Sequence, residues 1–227
     1  MSTILAVDSG GPMFSAALWS NDEVIQQKVV DKTPHSEHAL PLVRQLLATV
    51  EMTLAQCDAF AFGAGPGRFS GLRLACGLAQ TFAYASQRPL VATPSLAALA
   101  QANYGETETA AYAALPAHRG HLYLALCQQY DGRWHNSRPQ LLEVGAVKIN
   151  RRRQHCCGEG FMRYLSAAGT LNTTAPYPTA AAVATIAANM LMHEETTDVL
   201  AATPLYVRTQ VAQTIAERQK SRKSKHQ

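Results

Sequence analysis

An α/β fold is predicted for this 227-residue chain by three observations. Short β-rich runs alternate with amphipathic helical stretches, and a glycine-rich loop joins one such run directly to a helix. Hydrophobic residues make up 47% of the chain and charged residues only 16%, enough for a sizeable core and too apolar for a disordered chain. The alternation leaves α/β and α+β open and argues against a helical bundle, while the composition excludes collagen-like and coiled-coil classes.

Thr3-Ile-Leu-Ala-Val-Asp8 reads as a first strand and ends in turn chemistry at Asp8-Ser-Gly-Gly-Pro12. Residues 14–19 and 23–30 follow across a tight turn at Asn21-Asp22, so the chain opens as an antiparallel meander. Thr33-Pro34-His35-Ser36 then supplies a stop and a helix cap at Ser36. Leu40, Val43, Leu47, Val50 and Leu54 recur at three- and four-residue steps, widened by Leu46, as one apolar helix face. Residues 58–63 form a strand of buried type that runs into Gly63-Ala-Gly-Pro-Gly-Arg-Phe-Ser-Gly71.

The helix that starts there, Ser70 to Ser86, is apolar almost all round, through Leu72, Leu74, Ala75, Cys76, Leu78, Ala79, Phe82, Ala83 and Tyr84. Such a helix must be covered on more than one side, by its own core or by a partner helix. Gly71, Ala75, Gly77, Ala79 and Ala83 would let a neighbour come close. A strand at 89–92 and a helix at 95–103 complete a first half, 1–103, and the segment from Asn103 to Thr109 is the boundary. In the second half, 104–216, strands are expected at 112–116 and 121–128 around an Ala117-His-Arg-Gly120 turn. Residues 133–154 are polar and poorly patterned; a short helix at 161–167 and an alanine-rich one at 179–193 follow.

The formal charge of +4 sits entirely in the tail, 217–227, which carries five basic residues against one acid. A neutral body does not suit a broad nucleic-acid patch, so the tail is either a solvated terminus or a nonspecific RNA contact. Cys57, Cys76, Cys127, Cys156 and Cys157 are too few and too irregularly spaced for a disulfide framework. With no secretory h-region and no membrane-length apolar run, a cytoplasmic protein is expected.

Three motifs bear on chemistry. The loop Gly65, Gly67, Arg68, Ser70, Gly71 and Arg73 could hold a phosphate on helix N–H groups and arginines, or simply form a tight turn capped by Ser70. It lacks the Gly-Lys-Ser/Thr of a Walker loop, and Ser70 occupies the place of the third Rossmann glycine. Asp8 and Ser9, at the end of the first strand, could position a metal-bound phosphate. His35 and His38 are spaced by three and lack a third metal ligand, and no Gly-x-Ser-x-Gly or catalytic-cysteine pattern is present. Neither a metal centre nor a catalytic residue is expected.

Ile4-Leu-Ala-Val-Asp-Ser9, His35-Ser-Glu-His with Leu40-Pro-Leu42, and Gly65-Pro-Gly-Arg-Phe-Ser-Gly-Leu-Arg73 together resemble the TsaB (YeaZ) family. The resemblance extends through Pro94-Ser-Leu-Ala-Ala-Leu-Ala100, Arg119-Gly-His-Leu-Tyr123 and Pro204-Leu-Tyr-Val-Arg208. It implies an actin-like, sugar-kinase-like ATPase fold of two related halves, the second shortened. It further implies a non-catalytic role in making threonylcarbamoyladenosine in tRNA, beside a catalytic paralogue, TsaD, and a small ATPase, TsaE. The implied pairing surface is the first two helices, with Leu40, Val43, Leu47, Leu72, Leu74, Ala75, Leu78, Ala79 and Phe82 as contact residues and self-pairing when the partner is absent. No cofactor is required, though weak nucleotide binding is compatible. Arg68 stands where the family commonly has Ser, and Leu115-Pro-Ala-His-Arg-Gly-His121 replaces a turn that is often acidic. The rival readings are an active ATPase or small-molecule kinase of the same fold, and a peptidase.

Overall fold

The computed structural model describes residues 2–29, 34–118, 120–149, 154–164 and 173–207. The expected meander forms: β1 (Thr3–Asp8), β2 (Phe14–Ser20) and β3 (Glu23–Val29) pair antiparallel in succession. Asn21 and Asp22 both take positive φ, 53° and 64°, as a type I′ hairpin turn requires. After α1 (His35–Thr49), β4 (Ala59–Gly65) adds to β1 in parallel. After α2 (Phe69–Ser86), β5 (Leu90–Pro94) adds to β4, giving the order β3-β2-β1-β4-β5. β4 is buried along its whole length, as a parallel strand covered on both faces must be.

Strand periodicity distributes the core. Leu5, Val7, Phe60 and Phe62 point to the face under α1 and α2, whereas Ile4, Ala6, Ala59 and Ala61 point to the other, where α3 (Ser95–Tyr104) packs. The helix starts differ by a residue or two from expectation. Pro34 and Arg68, in extended backbone, are the N-caps of α1 and α2, and neither caps through a side chain. Ser36 and Ser70 therefore lie inside their helices, exposed, and cap nothing.

The second half is a smaller copy of the first. β6 (Ala110–Pro116), β7 (His121–Tyr130) and β8 (Arg133–Asn136) form an antiparallel meander, with β9 (Gln140–Glu143) beside β8 on the same edge of β7. β10 (Cys156–Cys157) adds to β6 in parallel. The order β8-β7-β6-β10 repeats β3-β2-β1-β4, with no counterpart of β5 among the described residues. α4 (Glu159–Tyr164) follows β10 as α2 follows β4, and both exits turn on a glycine at positive φ, Gly65 at 114° and Gly158 at 100°.

Two features differ from the sequence reading. The stretch from 133 begins with the second strand of a hairpin: Asp131 and Gly132 turn from β7 into β8 at φ 51° and 73°, and Trp134 is buried with its Nε1 donating to Gly105 O at 2.7 Å. The chain division at 103/104 separates the two sheets but not the packing, because α5 (Ala180–Met192) crosses back onto the first sheet. Its first turn donates from Ala180 N to Ser15 Oγ and from Ala181 N to Gln26 Oε1, both at 3.0 Å. With α3 it forms the layer between the sheets. The basic tail lies outside the described residues.

Candidate functional site

Asp8 ends β1 and is fully buried. Its Oδ1 accepts the Gly10 N–H at 3.2 Å, and Oδ2 has no hydrogen-bond partner among the described residues. A Cβ at Gly63 would stand 1.9 Å from that Oδ2, so the carboxyl rests on the bare backbone of β4. Burial raises its pKa from 3.8 to about 7, with the Gly10 N–H pulling weakly the other way. A carboxyl with a raised folded pKa contributes its full stability below about 3.8 and loses it as the pH climbs through about 7. Asp8→Asn, which cannot ionise, is therefore expected to raise stability at pH 8 by as much as about 4 kcal/mol, roughly 8–16 °C in melting temperature. That gain should shrink by half or more at pH 5. Equal gains at both pH values would show that Asp8 is not the group responsible.

The two glycine-bearing loops close on one another. Arg68 N donates to Gly10 O at 2.9 Å, and Gly65 N to Ser95 Oγ at 2.8 Å. Added Cβ atoms would stand 2.9 Å from Gly10 O at Gly67 and 1.8 Å from Ser9 O at Gly71. Gly11 lies flat under the Tyr177 ring, where a Cβ would approach to 3.0 Å. Ser9 is buried with Oγ 2.7 Å from His35 Nδ1, and His35 Nε2 donates to Pro12 O at 3.2 Å, so both ring nitrogens of His35 are spent on this loop. An anion held at a helix N-terminus needs free N–H groups, and here the Arg68 amide is consumed. Arg73 turns away as well: its Nε donates to Tyr206 Oη at 3.2 Å and its guanidinium lies 4.1 Å over the Phe69 ring. Among the described residues no group of three or more His, Cys, Asp or Glu side chains could hold a metal ion.

The helix faces also need correction. Val43, Leu47, Leu72, Ala75, Ala79 and Phe82, expected as contact residues, are buried in the chain's own core. Part of the surplus apolar surface of α2 is covered by the chain itself. Residues 199–206 run back along the helix, with Val199 O accepting from Gln80 Nε2, Ala202 O from Cys76 Sγ at 3.6 Å, and Tyr206 against Phe69 at 5.3 Å. What stays open is a third side: Ser70, Leu74, Gly77, Leu78, Thr81, Tyr84 and Ala85. Leu74 and Leu78 are half-buried there, Tyr84 is 68% exposed, and nothing lies within 4 Å of a Cβ placed on Gly77. Leu40, 45% exposed, is the corresponding apolar residue of α1.

A family model described as TsaD, tRNA N6-adenosine threonylcarbamoyltransferase, matches residues 29–143. The TsaB protein of Escherichia coli, named for tRNA threonylcarbamoyladenosine biosynthesis, is 30% identical over 158 residues, 69% of this chain and 68% of that protein. The chain belongs to the TsaB (YeaZ) family. The TsaB of Bacillus subtilis is 33% identical over 131 residues, 57% of each chain. YeaZ from Pseudomonas aeruginosa superposes with a TM-score of 0.81 at 30% identity, over 91% of this chain and all of that one. A second Pseudomonas aeruginosa structure, described as similar to peptidase YEAZ, gives a TM-score of 0.83 at 30% identity over 92% and 100%. The TsaB fold seen here is thus the expected actin-like ATPase type, two related halves. Sequence reasoning missed the strap at 199–206, and it missed Arg163 and Tyr177, which join Arg68 at the cleft between the halves. No local pattern signals them, because the three meet only through the packing of both halves.

Proposed function

We propose that this chain is a non-catalytic adaptor in the synthesis of threonylcarbamoyladenosine in tRNA. It binds a TsaD-type catalytic subunit through the open side of α2 together with the exposed Leu40 of α1, and a TsaE-type small ATPase joins the pair. Without that subunit it pairs with itself through the same face. It works in the cytoplasm on tRNA held by its partner, with no cofactor of its own. The observation that carries this reading is the open strip Leu74, Gly77, Leu78, Thr81 and Tyr84 on a helix whose other sides are sealed. Thr81 Oγ1 returns its hydrogen bond to Gly77 O at 2.7 Å, so the strip offers methyl and ring surface with little unmet polarity. A standard interface of about 800 Å² per partner, at ~25 cal/mol per Å² of apolar surface, is ample as a driving force. The closed loops around Asp8 and Gly67 support the non-catalytic half of the reading.

Reconstitution tests it. Modification of tRNA by the other components should fall to background when this chain is left out and return when it is added back. An unchanged rate without it would sink the adaptor role. ATP turnover by the chain alone, lost in Asp8→Ala, would instead favour the ATPase or kinase alternative.

A further inference from the structure

The β7–β8 hairpin is tied to the end of α5 by a buried cation. Arg133 is 7% exposed, and its Nη2 pairs with Glu195 Oε1 in the chain just past the helix. Glu195 is itself fixed to α5: its N–H donates to Met190 O at 2.9 Å, after Glu194 turns the chain at φ 59°. A second tie runs from Asn189 Nδ2 to Asp131 O at 2.9 Å. Because α5 packs on the first sheet and the hairpin belongs to the second, both ties join the two halves.

The cation is poorly satisfied without its histidine neighbour. Arg133 Nη1 is buried with no hydrogen-bond partner among the described residues, and Nε donates to His135 Nε2 at 3.2 Å. A guanidinium only donates, so Nε2 must be bare and the ring proton must sit on Nδ1. A proton on Nε2 would set N–H against N–H and put a second positive charge beside the first. Arg133 would then keep Glu195 alone, with Nε and Nη1 both buried and unpaired. The new charge would also attract Glu195, but that side chain is 46% exposed and its pull is screened, whereas the Arg133 side chain is only 8% exposed.

We propose that neutral His135 is the prop that keeps Arg133 on Glu195, and that protonating it in mild acid frees Arg133 and unlocks the hairpin from the end of α5. Burial and the Arg133 charge hold the His135 pKa below its usual 6.5, against smaller pulls from the Tyr130 carbonyl, Glu195 and Asp131. The Tyr130 ring stacks on the imidazole at 3.7 Å and 6°. A histidine with a lowered folded pKa gives its full stability above about 6.5 and loses it as the pH falls from there to the folded value. The latch is therefore closed at neutral pH and opens below it.

Hydrogen exchange on the full-length chain, without partner subunits, tests the latch independently of the adaptor role. Corrected for intrinsic rates, residues 189–197 should exchange about threefold or more faster at pH 5.5 than at pH 7.5, since each pH unit in the window multiplies the open fraction by up to about ten. In His135→Gln the difference should vanish, because the side-chain amide oxygen accepts from Arg133 Nε at every pH. Glu195→Ala should exchange fast at both pH values. Residues 3–8 report on the whole fold and should not speed up, because the raised pKa of Asp8 makes its carboxyl favour the folded state more as the pH falls. Should either variant fold poorly, an NMR titration of the unaltered chain reads the coupling directly: the Glu195 amide should shift with the midpoint of the His135 ring. An acid effect that persists in His135→Gln, no acid change at 189–197, a Glu195→Ala as protected as the unaltered chain, or a Glu195 amide that ignores the His135 midpoint overturns the proposal.

Discussion

Gly77→Arg is expected to abolish pairing with a TsaD-type subunit, by about a hundredfold or more, while leaving the chain as stable as before. Nothing lies within 4 Å of a Cβ at this position, so the side chain stands in open space in the monomer. Replacing a mid-helix glycine by arginine even favours the helix by about 0.5–1 kcal/mol. In the complex the same side chain props the helices apart, because close-packed axes lie only about 8–10 Å from each other, and it carries a charge into the centre of an apolar strip. Pull-down and a thermal melt on one preparation check both halves of the expectation. Undisturbed pairing would place the interface on another face. A substitution at Ala79 makes a poor substitute, since that residue is buried on the inner face of α2 and a carboxylate there would unfold the chain before any partner was met.

Gly71→Ala is expected to cost about 3–5 kcal/mol, enough to leave much of the chain unfolded near body temperature. Its Cβ would stand 1.8 Å from Ser9 O, well inside contact distance, and the obstacle is backbone rather than a side chain that can swing aside. That carbonyl has little room to retreat. Ser9 is tied to His35, Gly10 O accepts from Arg68 N, and Gly10 N donates to Asp8. Urea unfolding of the variant checks the cost. A loss below about 1 kcal/mol would show that the two loops can slide apart. Such a result would also weaken the case that they are closed to phosphate.

Much of the fold was legible because it is written in local chemistry. The Asn21-Asp22 turn, the buried run before Gly65 and the alanine-rich α5 each state their conformation within a few residues. The hairpin at Asp131-Gly132 was equally local, yet it went unread because its second strand, β8, is polar and only four residues long. The candidate site was less legible. Leu40 and Val43 belong to one sequence stripe, but Leu40 faces outward and Val43 the sheet, since the buried arc of α1 centres on Ala39, Val43, Leu46 and Leu47.

By itself the sequence determined the order and type of the elements, the family motif at Gly65 to Arg73, and the fact that α2 carries more apolar surface than one sheet can cover. Only the tertiary structure decided what covers it. Residues 199–206 seal one side from more than a hundred positions away, and helical periodicity cannot see a strap that arrives from the other end of the chain. The same holds for the glycines. A sequence shows that Gly65, Gly67, Gly71 and Gly77 are small, but only the neighbours show that Gly67 and Gly71 are small to admit another loop whereas Gly77 faces empty space. Cβ clashes are distances between segments remote in sequence, and those distances are set by packing.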